Sequence, residues 1–314
     1  MQHRPLGRSG ISIAPLMLGG NVFGWTADEA TSHAILDAFV GGGFNAVDSA
    51  DVYSAWVPGH AGGESETVIG TWLARRGKRD DVVIATKVGM WPAQPGLSAD
   101  NIVAACEGSL KRLQTDYIDL YQSHRDDADA AQDETLEAYD RLVKAGKVRA
   151  IGASNFEASR LSSSEAISAD KGLPRYDTLQ PAYNLMDRAI EGPLQQLCLD
   201  QDVSIISYYG LASGFLTGKY RSADDLGKSP RGRGVAKYLE DPKGAKVLAA
   251  LDAVAAETGG TPAQVALAWV MARPAVAAPI ASATSIAQLE ELMGAARLSL
   301  DPAHIARLDQ ASAG

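Results

Sequence analysis

An apolar run near residue 45 ends in the stretch FNAVDSADVYS, which carries Asp48, Asp51 and Tyr53 in quick succession. Lys87 follows 39 residues after Asp48, and His124 follows 37 residues after Lys87. Asp48, Lys87 and His124 each lie at or near the C-terminal end of an apolar run. Lys87 sits within VVIATKVGM, so its ammonium needs a carboxylate partner or it loses its charge; Asp48, on the preceding run, is the candidate. If Tyr53 reaches over such a pair, the ammonium is expected to lower the phenol from its ordinary value of about 10 and make it a usable proton donor. His124 can add a hydrogen bond to the same oxygen. This set suits proton delivery to an oxygen that is becoming an alkoxide. It contains no activated nucleophile, so the attacking group is expected from elsewhere, and a hydride from a nicotinamide fits.

Taken singly, each residue has a plainer reading: a surface lysine, a satisfied core histidine, a packing tyrosine. Their convergence on one rim is what argues for chemistry, and that convergence depends on the elements that carry them. Short β-branched or apolar runs occur at 13–20, 44–49, 82–88, 118–124, 148–154, 178–182, 203–209 and 276–282, separated by helical patterns such as NIVAACEGSLKRL and ETLEAYDRLVKAGK. A small hairpin with Gly7–Gly10 at its turn is expected before the first run. Eight strands alternating with helices predict parallel pairing, and continuous apolar strands suit a sheet covered on both faces. The spacing fits a (β/α)8 TIM barrel with an N-terminal β-hairpin and extra loop and helix insertions, forming one domain over residues 1–314. A doubly wound sheet is the rival, but neither of its phosphate-loop patterns follows the first strand. In a barrel, Ser154, Gln180 and Tyr208 would extend the polar rim over the next three strands.

The formal net charge of −9 argues against a general nucleic-acid or anionic-membrane binder. The two cysteines, Cys106 and Cys198, fall within helical patterns and read as buried thiols. No apolar signal core opens the chain and no run reaches transmembrane length, so a cytoplasmic protein is expected.

These motifs resemble the aldo-keto reductases nearly end to end. RPLGRSGISIAPLMLGG is similar to the family's hairpin and first strand, and GGFNAVDSADVY with GGESETVIG to its Asp/Tyr signature. VVIATKVG, YIDLYQSHR, GKVRAIGASNF, LQPAYN and GFLTGKY follow in family order. The resemblance is to bacterial members with a long insert after the tyrosine. It implies reduction of an aldehyde or ketone by NAD(P)H, or the reverse oxidation, without metal, and a catalytic tetrad of Asp48, Tyr53, Lys87 and His124. Ser154, Asn155 and Gln180 would hold the nicotinamide carboxamide, with Tyr208 stacked on the ring. The stretch from Gly210 and Leu211 through Ser213, Gly214 and Lys219 would wrap the pyrophosphate, aided by Arg231 or Arg233. Gly20 and Asn21 at the first strand end, and Ser282, Thr284, Gln288 and Glu291 in the last segment, would complete the cofactor site. No cation stands between 281 and 292, which weakens the fit to a 2′-phosphate; NADP(H) is favoured, with NAD(H) as the alternative.

The chain departs from the family in inserting SAWVPGHA after Tyr53, and in reading YYGL at 208–211. For substrate, Val22, Phe23, Trp25, Trp56 and Trp91 suggest an aromatic rim suited to an apolar or aromatic carbonyl compound, with Trp25, Trp56 and Trp91 as candidate wall residues, though one or two of these residues would only pack the rim. Arg125 would either meet an anionic substrate or pair with Asp126 or Asp127. Two other functions compete. One is a non-catalytic nicotinamide-nucleotide-binding regulatory subunit. The other is a metal-dependent hydrolase built on Asp48, Asp51, His124 and Asp126, disfavoured because Lys87 would put a cation among the ligands.

Overall fold

The computed structural model describes residues 1–229 and 232–313. Eight parallel strands close into a barrel: β3 (Met17–Gly19), β4 (Ala46–Asp48), β5 (Val83–Val88), β6 (Ile118–Ser123), β7 (Val148–Ser154), β8 (Tyr176–Gln180), β9 (Ser204–Ser207) and β10 (Val276–Ala281), with β10 pairing back onto β3. An antiparallel hairpin of β1 (Arg4–Pro5) and β2 (Ser12–Ile13) precedes it. The TIM barrel and its N-terminal hairpin are therefore as expected. The first barrel strand is shorter than the apolar run at 13–20 that announced it; the first residue of that run, Ile13, pairs within the hairpin instead. The expected strand at 178–182 starts two residues earlier, at Tyr176.

The outer layer comprises α1 (Glu29–Gly41), α2 (Glu64–Arg76), α3 (Ala99–Leu113), α4 (Gln132–Lys144), α5 (Ala158–Lys171) and α6 (Pro193–Asp200) between successive strands. Between β9 and β10 the chain inserts short 3₁₀ segments, then α7 (Ala236–Glu240), α8 (Pro242–Thr258) and α9 (Pro262–Met271). It ends with α10 (Ile286–Ala295) and α11 (Pro302–Ser312). The helix starts follow local chemistry. Ser98 accepts from the Asn101 N–H, and Thr261 and Gln264 cap each other with Pro262 in the first turn. Among the described residues no helix is long and apolar enough to cross a membrane. Cys106 and Cys198 are buried and unpaired.

Two apolar layers hold the fold. The larger lies between strands and helices. The smaller fills the barrel bore with Met17, Ala46, Val83, Ala85, Leu120, Ala150 and Ile206, and is plugged from below by Leu6, Ile11 and Ile13 of the hairpin region. Side chains alternate along a strand, so the next inward position above Ala46 is Asp48, above Ala85 is Lys87, and above Leu120 is Gln122. The bore thus changes from apolar to polar at its C-terminal end. Gly152 belongs to this layer. A Cβ there would lie 2.3 Å from Thr178 Oγ1 and 3.0 Å from Gln122 Cγ, so only glycine leaves room for both neighbours.

Candidate active site

Lys87 is fully buried and its ammonium spends all three protons: on Asp48 Oδ2 at 2.6 Å, the Ser49 carbonyl at 2.7 Å and Tyr53 Oη at 3.0 Å. Burial alone would lower this amine, but Asp48 and Tyr53 together hold it above its ordinary value. The lysine is therefore a permanent cation. The remaining oxygen of Asp48, Oδ1, accepts from Gln180 Nε2 at 3.0 Å and from Gln122 Nε2 at 3.4 Å, and the two amides bond each other at 3.2 Å. Gln122 is a residue the sequence reading missed. The signal was present, since it stands two positions after an inward Leu120 and two before His124.

Tyr53 lies beyond β4 on a loop tied back at both ends. Its carbonyl accepts from the Gly63 N–H at 2.9 Å, and Glu64, at the start of α2, accepts from the Ala61 N–H at 2.8 Å and the Gly62 N–H at 3.0 Å. The acidity expected of the phenol is corrected here. Burial pushes Tyr53 up to about 12, aided by Asp48, and the nearby ammonium only partly offsets this. Low dielectric penalises the phenolate more than one already neutralised cation favours it. Lys87 therefore limits the rise rather than reversing it.

His124 continues β6, its N–H bonded to Val88 O at 2.9 Å, and its ring stands 6.0 Å from that of Tyr53 at 73°. Burial, then Lys87 and Arg125, hold the imidazole well below its ordinary value, so it is neutral. Its Nδ1 is buried without a partner. Asn155 joins this corner to the next strands. Its amide donates to the His124 carbonyl at 3.1 Å and to Ser154 Oγ at 3.0 Å, while its Oδ1 accepts from Tyr208 Oη at 2.7 Å. Ser154 Oγ in turn donates to the Gln180 carbonyl at 2.8 Å. Asp48, Tyr53, Lys87, His124, Ser154, Asn155, Gln180 and Tyr208 thus form one linked set across six barrel strands, β4 to β9, and the loops that follow them.

The other candidate cofactor residues form a second group. Asn21 Oδ1 accepts from Ser282 Oγ at 2.5 Å, joining the ends of β3 and β10, and the Gly20 N–H donates to Asp48 O at 2.7 Å. Thr284 donates to Gln288 Oε1 through its N–H at 2.9 Å and its hydroxyl at 3.0 Å. The Glu291 carbonyl accepts from Gln264 at 3.0 Å. After β9, the chain passes Gly210 and Leu211 into three consecutive residues with positive φ: Ala212, Ser213 and Gly214. This change of hand follows Leu211 (φ −106, ψ 16), and the turn closes on itself, the Ala212 N–H donating to Tyr209 O at 2.7 Å and the Gly214 N–H to Leu211 O at 2.9 Å. A Cβ on Gly214 would sit 3.7 Å from Lys219 Nζ, so an ammonium borders that loop. A glycine-bearing turn bordered by a cation, with an amide–hydroxyl pair and a tyrosine face nearby, has the donor and stacking groups that a dinucleotide needs. Arg231 lies outside the described residues.

The aromatic candidates divide. Trp56, 48% exposed, packs edge-on against Tyr53 at 5.7 Å and Trp25 at 5.8 Å. Val22 and Phe23 are core residues. Trp91 braces the base of the insert, donating to Ala61 O at 2.8 Å with the Arg112 guanidinium 5.2 Å over its ring. Among the described residues no three acids, histidines or cysteines come together to hold a metal ion, and three of the four residues weighed for one have other neighbours. Asp48 holds Lys87, Asp126 holds Arg160 at 2.7 Å, and Asp51 faces Glu66 and Arg112.

Residues 15–313 match the model of the Aldo/keto reductase family. A Bacillus subtilis (strain 168) protein named "Uncharacterized oxidoreductase YrpG" is 36% identical over 311 residues, covering 96% of this chain and 93% of its own. A rice (Oryza sativa subsp. japonica) protein named "Probable voltage-gated potassium channel subunit beta" is 34% identical, covering 94% of this chain and 91% of its own. The Schizosaccharomyces pombe (strain 972 / ATCC 24843) protein "Aldo-keto reductase yakc [NADP(+)]" is 30% identical, covering 92% and 84%. A family match running from the first barrel strand to the last helix, on a closed eight-stranded barrel with its polar residues at one mouth, places this chain in the aldo/keto reductase family of oxidoreductases.

Proposed function

We propose that the protein reduces an aldehyde or ketone to an alcohol with NADPH as the favoured reductant, and runs the reverse oxidation when the balance of substrates demands it. The observation that carries this reading is the triple donation of the Lys87 ammonium to Asp48, Ser49 and Tyr53. A buried cation held against a phenol at a barrel mouth suits proton transfer to oxygen and little else.

When bound, a nicotinamide would supply the hydride that the carbonyl carbon accepts. Everything else falls to the protein. Tyr53 gives its proton to the carbonyl oxygen, and Lys87 stabilises the phenolate left behind. Asp48 keeps Lys87 charged and aimed, while Gln180 and Gln122 fix Asp48. His124, neutral, donates a hydrogen bond to the same oxygen and orients it. Ser154, Asn155 and Gln180 would hold the carboxamide, with the face of Tyr208 against the ring. Gly20, Asn21, the 210–214 loop, Lys219, Ser282, Thr284, Gln288 and Glu291 would hold the rest of the dinucleotide. Trp25 and Trp56 would wall the substrate. The relative named for NADP(+) supports NADPH over NADH.

The rice relative's name favours a second reading, a nicotinamide-nucleotide-binding regulatory subunit. Such a protein needs the dinucleotide site but not the Lys87–Tyr53 contact. One screen separates the two: a panel of aldehydes and ketones against NADPH and NADH, read as loss of nicotinamide absorbance. Turnover with NADPH supports the reductase. Tight NADPH binding with no turnover across the panel favours the subunit, and a tenfold preference for NADH overturns the cofactor assignment.

A further inference from the structure

We propose that Arg125 is an anion-recognition residue that selects carbonyl substrates bearing a carboxylate; this rests on the reductase reading above. Arg125 directly follows His124 and is exposed. The two acids after it are committed elsewhere. Asp126 accepts both arms of Arg160, at 2.7 and 2.9 Å. Asp127 accepts the Leu97 N–H at 2.8 Å and the Asp129 N–H at 3.1 Å. Among the described residues Arg125 has no ion pair, hydrogen bond or ring contact. Its charge nevertheless reaches the imidazole, which it helps to keep neutral.

The setting makes a free guanidinium at this point informative. A chain of net charge −9 repels anions, and Asp187 near Tyr208 adds to that at the mouth. A carboxylate-bearing substrate therefore needs a local cation with unspent donors. Lys87 cannot serve, because all three of its protons are used inside the protein. Arg125 presents a planar fork that matches a carboxylate with two parallel N–H···O bonds. A substrate whose carbonyl oxygen meets Tyr53 and His124 would lie against Trp56, which packs on Tyr53, and an acid group on its His124 side would come within reach of the residue that follows, Arg125. The class indicated is an aromatic or short apolar aldehyde or ketone with a carboxylate distal to the carbonyl.

The test compares para-carboxybenzaldehyde with para-formylbenzamide, which has the same shape without the charge. The quantity read is the ratio of their kcat/KM values with the NADPH-bound protein. The expected ratio is about tenfold in favour of the acid, the scale of one charge-assisted bidentate contact at a partly exposed site. It should shrink with added salt, collapse toward unity in Arg125→Gln, and survive in part in Arg125→Lys. Equal use of both aldehydes by the native protein, or an unchanged ratio in Arg125→Gln, overturns the inference and leaves the reductase reading standing. If neither aldehyde turns over, the reductase reading is what has failed. Binding of benzoate against benzamide, followed by tryptophan fluorescence, then decides the anion site alone: benzoate selectively weakened in Arg125→Gln supports it, and no difference overturns it.

Discussion

The Lys87 amine donates to the Tyr53 hydroxyl at 3.0 Å, yet the phenol is held up at about 12. The two facts describe one device. A buried phenol beside a cation already neutralised by Asp48 stays protonated through neutral pH, and that proton is available whenever charge develops on a nearby oxygen. The cation then stabilises the phenolate only as it forms, which is the differential binding that raises a rate.

Tyr53→Phe is expected to keep dinucleotide binding while lowering kcat at least about 10²-fold, the scale of a positioned general acid. Single-turnover reduction alongside cofactor titration checks it. Near-native turnover in this variant would remove Tyr53 from the mechanism.

Lys87→Met should lose activity to a similar degree, and stability as well. It strands Asp48, only 2% exposed, without its cation; breaking a buried pair costs about 3–5 kcal/mol. Adding Asp48→Asn should recover part of that stability and none of the rate. Urea unfolding of the single and double variants is the measurement, and no recovery in the double variant would count against the pair.

Reduction should show no alkaline loss from Tyr53 across neutral pH, because deprotonation of the free site waits until pH approaches about 12. The pH profile of kcat/KM reports this directly. An alkaline limb near pH 8 that disappears in Tyr53→Phe would contradict it.

Asp51 is fully buried, and neither of its oxygens has a hydrogen-bond partner of good geometry. Burial, then Glu66, pushes its carboxyl from 3.8 up to about 7; Arg112, the Val52 N–H and Lys87 pull less strongly the other way. Between those values the folded chain holds a proton that the unfolded chain has released. Stability from this group therefore falls as pH rises from about 4 to about 7, and the full penalty remains above. Asp51→Asn should stabilise the protein more at about pH 8 than at about pH 5. Equal effects at both pH values would show that the carboxyl is not shifted.

Gly152→Ala should destabilise by about 1–3 kcal/mol, the range for overpacking, because the added methyl meets the stiff Thr178 side chain at 2.3 Å. It should also lower activity, since Gln122 is displaced with it. Thermal unfolding and kcat together check both effects.

Much of the barrel was legible in the residues alone. The alternation of apolar runs with helical patterns marked eight strands, and the places of Asp48 and Lys87 at the C-terminal ends of their runs put them on one rim. Local sequence records which side chains a strand must bury, so strand count and the Asp48–Lys87 pairing could be argued without coordinates. Strand ends were less certain, as the shortened first strand shows, because hairpin pairing competes for the same residues. Three features depended on the tertiary structure. Gln122 earned its place only when Gln180, 58 residues later, met it beside Asp48. The phenol's pKa depended on how much of the ring the closed barrel and its insert would bury, a quantity no local pattern holds. Arg125 was left free because Arg160 and the Leu97 backbone took its neighbours. Side-chain type and spacing are properties of the chain; which partner a charge finds, and how dry its surroundings are, depend on elements that meet only when the barrel closes.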